Sequence, residues 1–392
     1  MASPASYSID DLVVGTSATE SLHDQRGTLL VPSGLAITDA LIATLRARGV
    51  TTLKSAKQSS PSASDTSDPD ARDLAVSPVY SDKQKQRIRS SFQASTSAVE
   101  SLVRSIGAGE NIDLRDAERQ VDNFINELVD DPDPVLASAL EYEANLKLAK
   151  RCVQFSVLAM GMGLRLKIPV AQVRILGSAA MIHDCALFDL PFTSRFPHQI
   201  RNESQRRQYL QHPLVAKQML QFADRMDPEI NVLVTQVHEL LDGGGFPMRL
   251  KAAQIHPLAR ILCVADAYLT MTSPPKGCAR IVPCDAVAYL ISGASRGQYS
   301  AKAVNGLLKA VTTYPIGSIV ELSDTTKARV IRSDGDDFAS PILESLDRRG
   351  RIIRLKDENL FIARPIISAE MHEVRLPDAY DSLGQGLDTV SV

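Results

Sequence analysis

Five residues of this sequence have the types and the order of a metal-binding site. His183 and Asp184 end a strongly apolar helical run, His212 precedes a proline, His238 precedes a run of glycines, and Asp266 interrupts another apolar helix. A buried carboxylate without a partner costs several kcal/mol, so these groups need one. A divalent metal is one such partner, and an arginine or a backbone donor is the alternative.

The segment after His238 continues with Glu239, Leu240 and Leu241 and then forms a turn at 242–247, with the sequence Asp-Gly-Gly-Gly-Phe-Pro. Glycine adopts backbone conformations that side chains forbid, so this turn can fold back against a site at the end of a helix. We therefore expect His238 and Glu239 to lie at that helix end.

Taken together, these residues resemble the HD-GYP branch of the HD metal-dependent phosphohydrolases. The family pattern is His-His-Glu followed by Asp-Gly-x-Gly-Tyr-Pro, and this sequence has Val237 at the first histidine and Phe246 at the tyrosine. The resemblance implies two or three iron or manganese ions and a metal-bound hydroxide that attacks phosphorus. It gives His183, Asp184, His212, His238 and Asp266 as candidate ligands. Glu239 and Asp242 are implied as residues that lie next to the ligands without binding the metal.

The sequence departs from the family pattern at its metal-binding positions. A gapless alignment places Arg151 at the family's first ligand histidine, and no histidine lies between His23 and His183. Lys147 stands where members with three metal ions have a glutamate. Cations at these positions would repel a metal ion.

The positions expected to handle the phosphate also depart. Leu187 replaces a lysine that would stabilise charge on the transferred phosphoryl group. The family's two phosphate-binding arginines fall on the segment 275–278, which leaves Lys276 and Arg280 as candidate phosphate-binding residues at shifted positions. Leu269 stands in place of a second aspartate.

These departures affect metal binding, charge stabilisation and substrate binding together. They favour a catalytically impaired HD-GYP-like protein that acts as a regulatory or binding module in cyclic-dinucleotide signalling, with iron or manganese at reduced stoichiometry or absent. Two alternatives stay open: an active metal-dependent cyclic-di-GMP phosphodiesterase and an HD phosphohydrolase for another phosphorylated substrate. Cyclic diguanylate or a signalling protein is the expected partner, and a homodimer is left open.

Apolar periodicity predicts the elements that must position these residues, in a mainly α fold with an HD-type helical bundle at 81–312. Helical pattern covers 83–129 with a break at 107–109, then 135–166 and 174–182. Pro213 is expected to open a helix.

Smaller modules flank the bundle. Residues 1–54 predict an α+β module with strands at 12–14 and 28–31 and a helix at 38–48. A Ser- and Pro-rich stretch at 55–80 is typical of a disordered linker, the alternation within 313–377 predicts a β-rich appendage, and 378–392 is expected to be a flexible tail.

Composition limits the function further. The formal net charge is −3 with no long basic run, which argues against nucleic-acid binding. The five cysteines form no CxxC pair, as expected for reduced thiols, and no segment has the length of a membrane span. We expect a cytoplasmic protein.

Overall fold

The protein was analysed as a computed structural model that describes residues 6–14, 22–23, 29–31, 37, 42, 45–46, 50–55, 80–108, 110, 112–143, 146–191, 200, 202–221, 223, 226–274, 280–334, 337–347 and 351–366. The chain divides into two compact units. One contains Gln86–Gly317 with Ser333–Phe338, and it holds all the predicted ligands. The other contains Met1–Lys85, Ser318–Arg332 and Ala339–Ile366.

The described part of the chain is mainly α-helical, as the sequence predicts. The helices are α1 (Asp82–Gly107), α2 (Arg115–Asp130), α3 (Pro132–Ala139), α4 (Leu148–Arg165), α5 (Val170–Ile182), α6 (Glu203–Leu220), α7 (Pro228–Gln236), α8 (Pro257–Thr272), α9 (Pro283–Ser295) and α10 (Ala301–Val311).

Helix α4 lies at the centre of the bundle. It packs against α3, α5, α8 and α10, and its side chains from Cys152 to Met162 are buried, polar ones included. Helices α4 and α5 approach closely: a Cβ atom added at Gly177 would lie 2.5 Å from the sulfur of Met160. The residues that follow α5 are therefore held against a rigid neighbour, which suits a site of defined geometry.

Two helix boundaries differ from the sequence prediction. The predicted helix at 135–166 is divided, because α3 ends at Ala139 and α4 begins at Leu148. No glycine or proline marks this break. Helix α2 ends at Asp130, and Pro132 occupies the first turn of α3, where its missing N–H has no cost.

The expectation that Pro213 opens a helix is wrong. Helix α6 begins at Glu203, after Asn202 accepts a hydrogen bond from the backbone N–H of Gln205 at 2.9 Å, and Pro213 lies in its interior. The Asn202 side chain satisfies one of the N–H groups left unpaired at a helix start, so the helix can begin a full ten residues earlier than proline statistics suggest.

Each flanking module contains a sheet. The N-terminal sheet has the order β1-β4-β2-β3, with β1 (Ser6–Ser8), β2 (Leu22–His23), β3 (Leu29–Val31) and β4 (Thr52–Ser55). The predicted strand at 12–14 does not form. Ser8 and Asp11 form a capping box that directs residues 9–11 into a 3₁₀ turn instead.

The β-rich C-terminal appendage is confirmed as a five-stranded sheet of order β8-β7-β6-β5-β9, with β5 (Ile319–Leu322), β6 (Lys327–Asp334), β7 (Asp337–Ser345), β8 (Ile352–Arg354) and β9 (Ile362–Pro365). Most of the predicted linker, most of the predicted helix at 38–48 and the whole predicted tail lie outside the described residues. None of the described helices combines the length and apolarity needed to cross a bilayer.

A candidate metal centre after helix α5

Four of the predicted ligands meet in the interior of the helical unit. Asp184 Oδ1 lies 3.1 Å from His183 Nε2 and 3.3 Å from His212 Nε2. His238 Nε2 lies 3.1 Å from His212 Nε2. Because His183, Asp184 and His212 are no more than 5% exposed, the cluster is shielded from bulk water.

Backbone carbonyls set the orientation of two imidazoles. His183 Nδ1 lies 2.8 Å from the carbonyl oxygen of Ala180, and His212 Nδ1 lies 2.5 Å from that of Tyr209. A carbonyl only accepts, so the hydrogen bonds assign the proton to Nδ1 in both rings. Each Nε2 therefore presents a lone pair towards Asp184, which is the orientation that a metal-binding histidine requires.

Pro213 explains why the Tyr209 carbonyl is available to His212. In a regular helix the N–H of residue 213 would donate to the carbonyl of residue 209, but proline has no N–H. The Nδ1–H of His212 takes that place at 2.5 Å. The interior proline thus frees an acceptor that fixes the His212 ring.

The cluster has more acceptors than donors. His183 Nε2 has no hydrogen-bond partner among the described residues. His238 Nδ1 lies 3.2 Å from Asp266 Oδ2, so donation there leaves a bare His238 Nε2 facing that of His212. Facing lone pairs are stabilised by a shared proton or by a metal cation. Burial lowers the pKa of His183, which disfavours a proton on that ring.

The carboxylate at the centre stays ionised. Burial of Asp184 raises its pKa, but the positive charge of a protonated His183 and a hydrogen bond donated by His212 outweigh burial and hold the pKa below the usual value. A divalent cation can take the place of these protons, because the deprotonated Nε2 atoms then present their lone pairs to the ion. The residues present therefore fit a metal ion, which would supply Lewis-acid chemistry to a phosphate ester.

Two groups of three ligand atoms are close enough to hold an ion. One consists of Asp184, His212 and His238, and the other of Cys152, His183 and Asp184; within each group the ligand atoms lie within 4.8 Å of one another. Asp184 belongs to both. Cys152 was not among the predicted ligands, because a lone cysteine in an apolar helix carries no motif and only the tertiary structure shows what it faces.

Asp266 belongs to neither group among the described residues, although it was a predicted ligand. Its Oδ1 atom faces Arg151 Nη2 at 3.4 Å and its Oδ2 atom faces His238 Nδ1 at 3.2 Å. Burial raises the pKa of Asp266, but the hydrogen bond with His238 and the charges around it outweigh burial and lower the pKa. Asp266 therefore orients His238 and neutralises Arg151.

Arg151, which the alignment put at the family's first ligand histidine, lies beside the ligand cluster. It is only 6% exposed, and its Nη2 donates to Thr270 Oγ1 at 2.7 Å. Its Nη1 lies 3.5 Å from the carbonyl oxygens of Leu269 and Ser273. Together with the ion pair to Asp266, these contacts hold the guanidinium at the end of α8.

Glu239 fastens the glycine turn. Its buried carboxylate accepts hydrogen bonds from the backbone N–H of Met248 at 2.7 Å and from that of Leu250 at 2.8 Å. Asp242 is exposed and accepts from the N–H of Gly244 at 2.8 Å. These hydrogen bonds involve no imidazole, so both side chains shape the turn that follows His238.

The glycine turn brings Phe246 over the site. A Cβ atom on Gly245 would lie 2.3 Å from the backbone nitrogen of Leu240, so only glycine fits there. The Phe246 ring stacks on His238 with centroids 4.6 Å apart and planes 15° apart. The Phe246 ring therefore packs against one face of His238.

Two positions that the family resemblance links to phosphate, Leu187 and Arg280, have other surroundings in the structure. Leu187 is 1% exposed and packs in an apolar group with Leu148 and Tyr209. Arg280 donates from Nε to the carbonyl oxygen of Thr272 at 2.7 Å, and its guanidinium lies 4.6 Å from the centre of the Tyr142 ring. Lys276 lies outside the described residues. Exposed Lys147, in the position of a family glutamate, pairs with Glu100 at 3.2 Å.

Comparison with known proteins agrees with this geometry. A family model described as the HD domain matches residues 134–302, which contain every residue of the ligand cluster. Over 244 residues the chain is 23% identical to the cyclic di-GMP phosphodiesterase PA4108 of Pseudomonas aeruginosa, a match that covers 62% of this chain. The family match therefore places an HD domain at residues 134–302 of the chain.

The chain spans 58% of the length of the Pseudomonas relative that it matches. A solved structure of Bd1817, an HDG"Y"P protein from Bdellovibrio bacteriovorus, is 13% identical with a TM-score of 0.47 and covers 77% of this chain and 97% of that one.

Proposed function

We propose that this chain is an HD-GYP-like regulatory or binding module of cyclic-dinucleotide signalling whose site has little or no phosphodiesterase activity. The relative from Pseudomonas aeruginosa, named as a cyclic di-GMP phosphodiesterase, supports the pathway. The observation that carries the impairment is Arg151, a buried cation that pairs with Asp266 beside the ligand cluster.

The pairing weakens the site in two ways. Asp266 contributes its negative charge to a fixed guanidinium, so less of that charge is available to attract a metal ion. Its two carboxylate oxygens face Arg151 and His238 and do not face the ligand atoms of Asp184. A second ion beside the first would therefore lack both a ligand and a counter-charge.

The apolar surroundings of Leu187 support the same proposal. Stabilising negative charge on a transferred phosphoryl group requires a cation or a donor next to it. The position that the family resemblance gives to a lysine is instead buried with Leu148 and Tyr209. Removing one such donor typically costs about 10²- to 10³-fold in rate.

A second candidate function is a phosphodiesterase that works with one metal ion. The three ligands Asp184, His212 and His238 favour it, because they leave coordination positions open for water and a phosphate oxygen. The two functions share ligands and differ in turnover, so one experiment separates them.

The test measures hydrolysis of cyclic diguanylate by the purified, metal-loaded full chain beside its metal-free form and a His183→Ala, Asp184→Ala double variant. We expect no difference in rate among the three, and binding of the dinucleotide is followed by calorimetry in the same samples. A rate above the metal-free control that the double variant abolishes would establish the phosphodiesterase and refute the proposal.

Restoring activity provides the complementary test. Arg151→His with Val237→His rebuilds the family's ligand set, and Leu187→Lys adds the missing charge. We expect the two histidines to raise bound metal with little turnover, and the lysine to raise turnover further. Equal turnover in all variants and the wild type would contradict this account of the site.

A further inference from the structure

We propose that Cys152 Sγ, His183 Nε2 and Asp184 Oδ1 bind one zinc-class ion, so that this site uses a cysteine ligand. The inference deepens the proposed function, on whose site it rests, and it concerns the identity of the metal. Nothing in the family pattern described above assigns a role to Cys152.

The geometry brings these three residues together from two elements. Cys152 follows Arg151 on α4, and because successive helical residues point about 100° apart, the two side chains face different neighbours. Arg151 faces Asp266 and Thr270, whereas Cys152 faces His183 and Asp184. Arg151, which weakens metal binding, and Cys152, whose thiol can supply a ligand, therefore occupy consecutive positions on α4.

The distances are compatible with one ion. Ligand atoms around a tetrahedral zinc ion stand roughly 3.3–3.8 Å apart, given Zn–S and Zn–N distances of about 2.3 and 2.0 Å. The three ligand atoms lie within 4.8 Å of one another, and His183 Nε2 lies 3.1 Å from Asp184 Oδ1.

An independent observation points to a bound cation at this place. His183 is 2% exposed, its Nδ1 is fixed by the Ala180 carbonyl, and its Nε2 has no hydrogen-bond partner among the described residues. Leaving a buried polar atom unsatisfied costs about 1–3 kcal/mol. An ion held by Cys152 and Asp184 would satisfy that atom along the direction in which its lone pair already points.

The chemical types of the three ligands determine which metal ion the site prefers. A thiolate with an imidazole and a carboxylate suits zinc or cobalt, while manganese and magnesium prefer all-oxygen or oxygen-rich sets. The inference therefore differs from the iron or manganese expected from the sequence. When the Sγ–metal bond forms, the thiol releases its proton to solvent, and a fourth position stays open for water or a phosphate oxygen.

The experiment titrates chelator-treated full-length protein with cobalt(II) and follows absorption. We expect a near-ultraviolet thiolate-to-cobalt band at one cobalt per chain. The band should disappear in Cys152→Ser and persist in the matched control Cys284→Ser, which removes another buried cysteine that is in neither ligand group. Competition with zinc should give at least about a tenfold weaker Kd for Cys152→Ser, a loss of about 1.4 kcal/mol.

Zinc-edge X-ray absorption of the wild type supplies a second readout that requires no variant to fold. We expect one sulfur neighbour at about 2.3 Å. Cobalt or zinc bound without sulfur, an unchanged band in Cys152→Ser, or no metal bound at all would each overturn the inference. Hydrolysis of cyclic diguanylate by the zinc-loaded chain would refute the proposed function and leave the cysteine ligand standing, so the two failures are distinguishable.

Discussion

Replacing Arg151 tests whether a protein cation suppresses metal binding at this site. The guanidinium is 6% exposed and pairs with Asp266 at 3.4 Å, so its charge acts in a poorly screened interior. Arg151→His removes that charge and adds an imidazole. We expect tighter binding of manganese(II), a metal that the family resemblance implies, together with a less stable metal-free protein.

The magnitude of the affinity change follows from Coulomb's law. A unit charge and a divalent ion about 6 Å apart repel by roughly 5 kcal/mol at an effective dielectric of about 20. The facing Asp266 carboxylate cancels much of this, and a remainder of about 2 kcal/mol corresponds to roughly a 30-fold lower Kd. The Asp266 carboxylate would no longer be paired with a guanidinium, so its negative charge would also attract the ion.

The stability change has the opposite sign. Breaking a buried ion pair costs about 3–5 kcal/mol, and Asp266 keeps its contacts with His238 and Thr270, which places the cost near the lower end. For a helical unit of this size that corresponds to a Tm lower by about 6–12 °C. Saturating manganese should restore part of it, because a ligand stabilises the state that binds it.

The assay combines electron paramagnetic resonance, which counts unbound manganese(II), with thermal unfolding followed by circular dichroism. The matched control is Arg165→His on the same helix, since Arg165 pairs with buried Asp133 at 3.7 Å away from the ligands. The control should lose stability without gaining affinity. Equal Kd values for Arg151→His and the wild type would refute the reasoning that Arg151 limits metal binding.

Three further variants test how the surrounding residues position the site. Pro213→Ala restores the helix N–H that competes for the Tyr209 carbonyl, so the affinity of the group Asp184, His212 and His238 for manganese(II) should fall about 3- to 10-fold with an unchanged or higher Tm. A lower Tm with unchanged affinity would contradict this role. Gly245→Ala should lower the free energy of unfolding by roughly 2–4 kcal/mol, because the new Cβ would meet backbone atoms. In the control Gly244→Ala the new Cβ meets only the Asp242 side chain, so the free energy of unfolding should change by under about 0.5 kcal/mol. Equal effects of the two variants in urea unfolding would disprove the close approach at Gly245. Glu239→Gln should cost about 1–2 kcal/mol, since one amide oxygen replaces a carboxylate that accepts two backbone N–H bonds, and faster amide exchange at 248–250 should report it.

Some of the site follows from the sequence alone. Buried polar residues of ligand type had to meet partners in the interior, and His183, Asp184, His212 and His238 do so. The helical class and the C-terminal sheet follow from periods of about 3.6 and 2 residues, because these patterns record which face each element buries.

The arrangement of Pro213 shows where local rules fail. Statistics place proline at a helix start, yet Asn202 caps α6 ten residues earlier and the interior proline serves to orient His212. The hydrogen bond that the Asn202 side chain accepts at the helix start outweighs the general preference of proline for that position. The sequence also does not show which side chain will take the carbonyl that Pro213 leaves without a backbone donor.

The tertiary structure decided which residues share the ligand cluster. Cys152 and Arg151 are neighbours in sequence and look equally buried in an apolar helix, but the rotation between them sends the thiol to His183 and the guanidinium to Asp266. Asp266 had the type and order of a ligand and became the partner of a cation. Charge pairing and helix rotation depend on the packing of α4 against α5 and α8, which brings together residues more than a hundred positions apart.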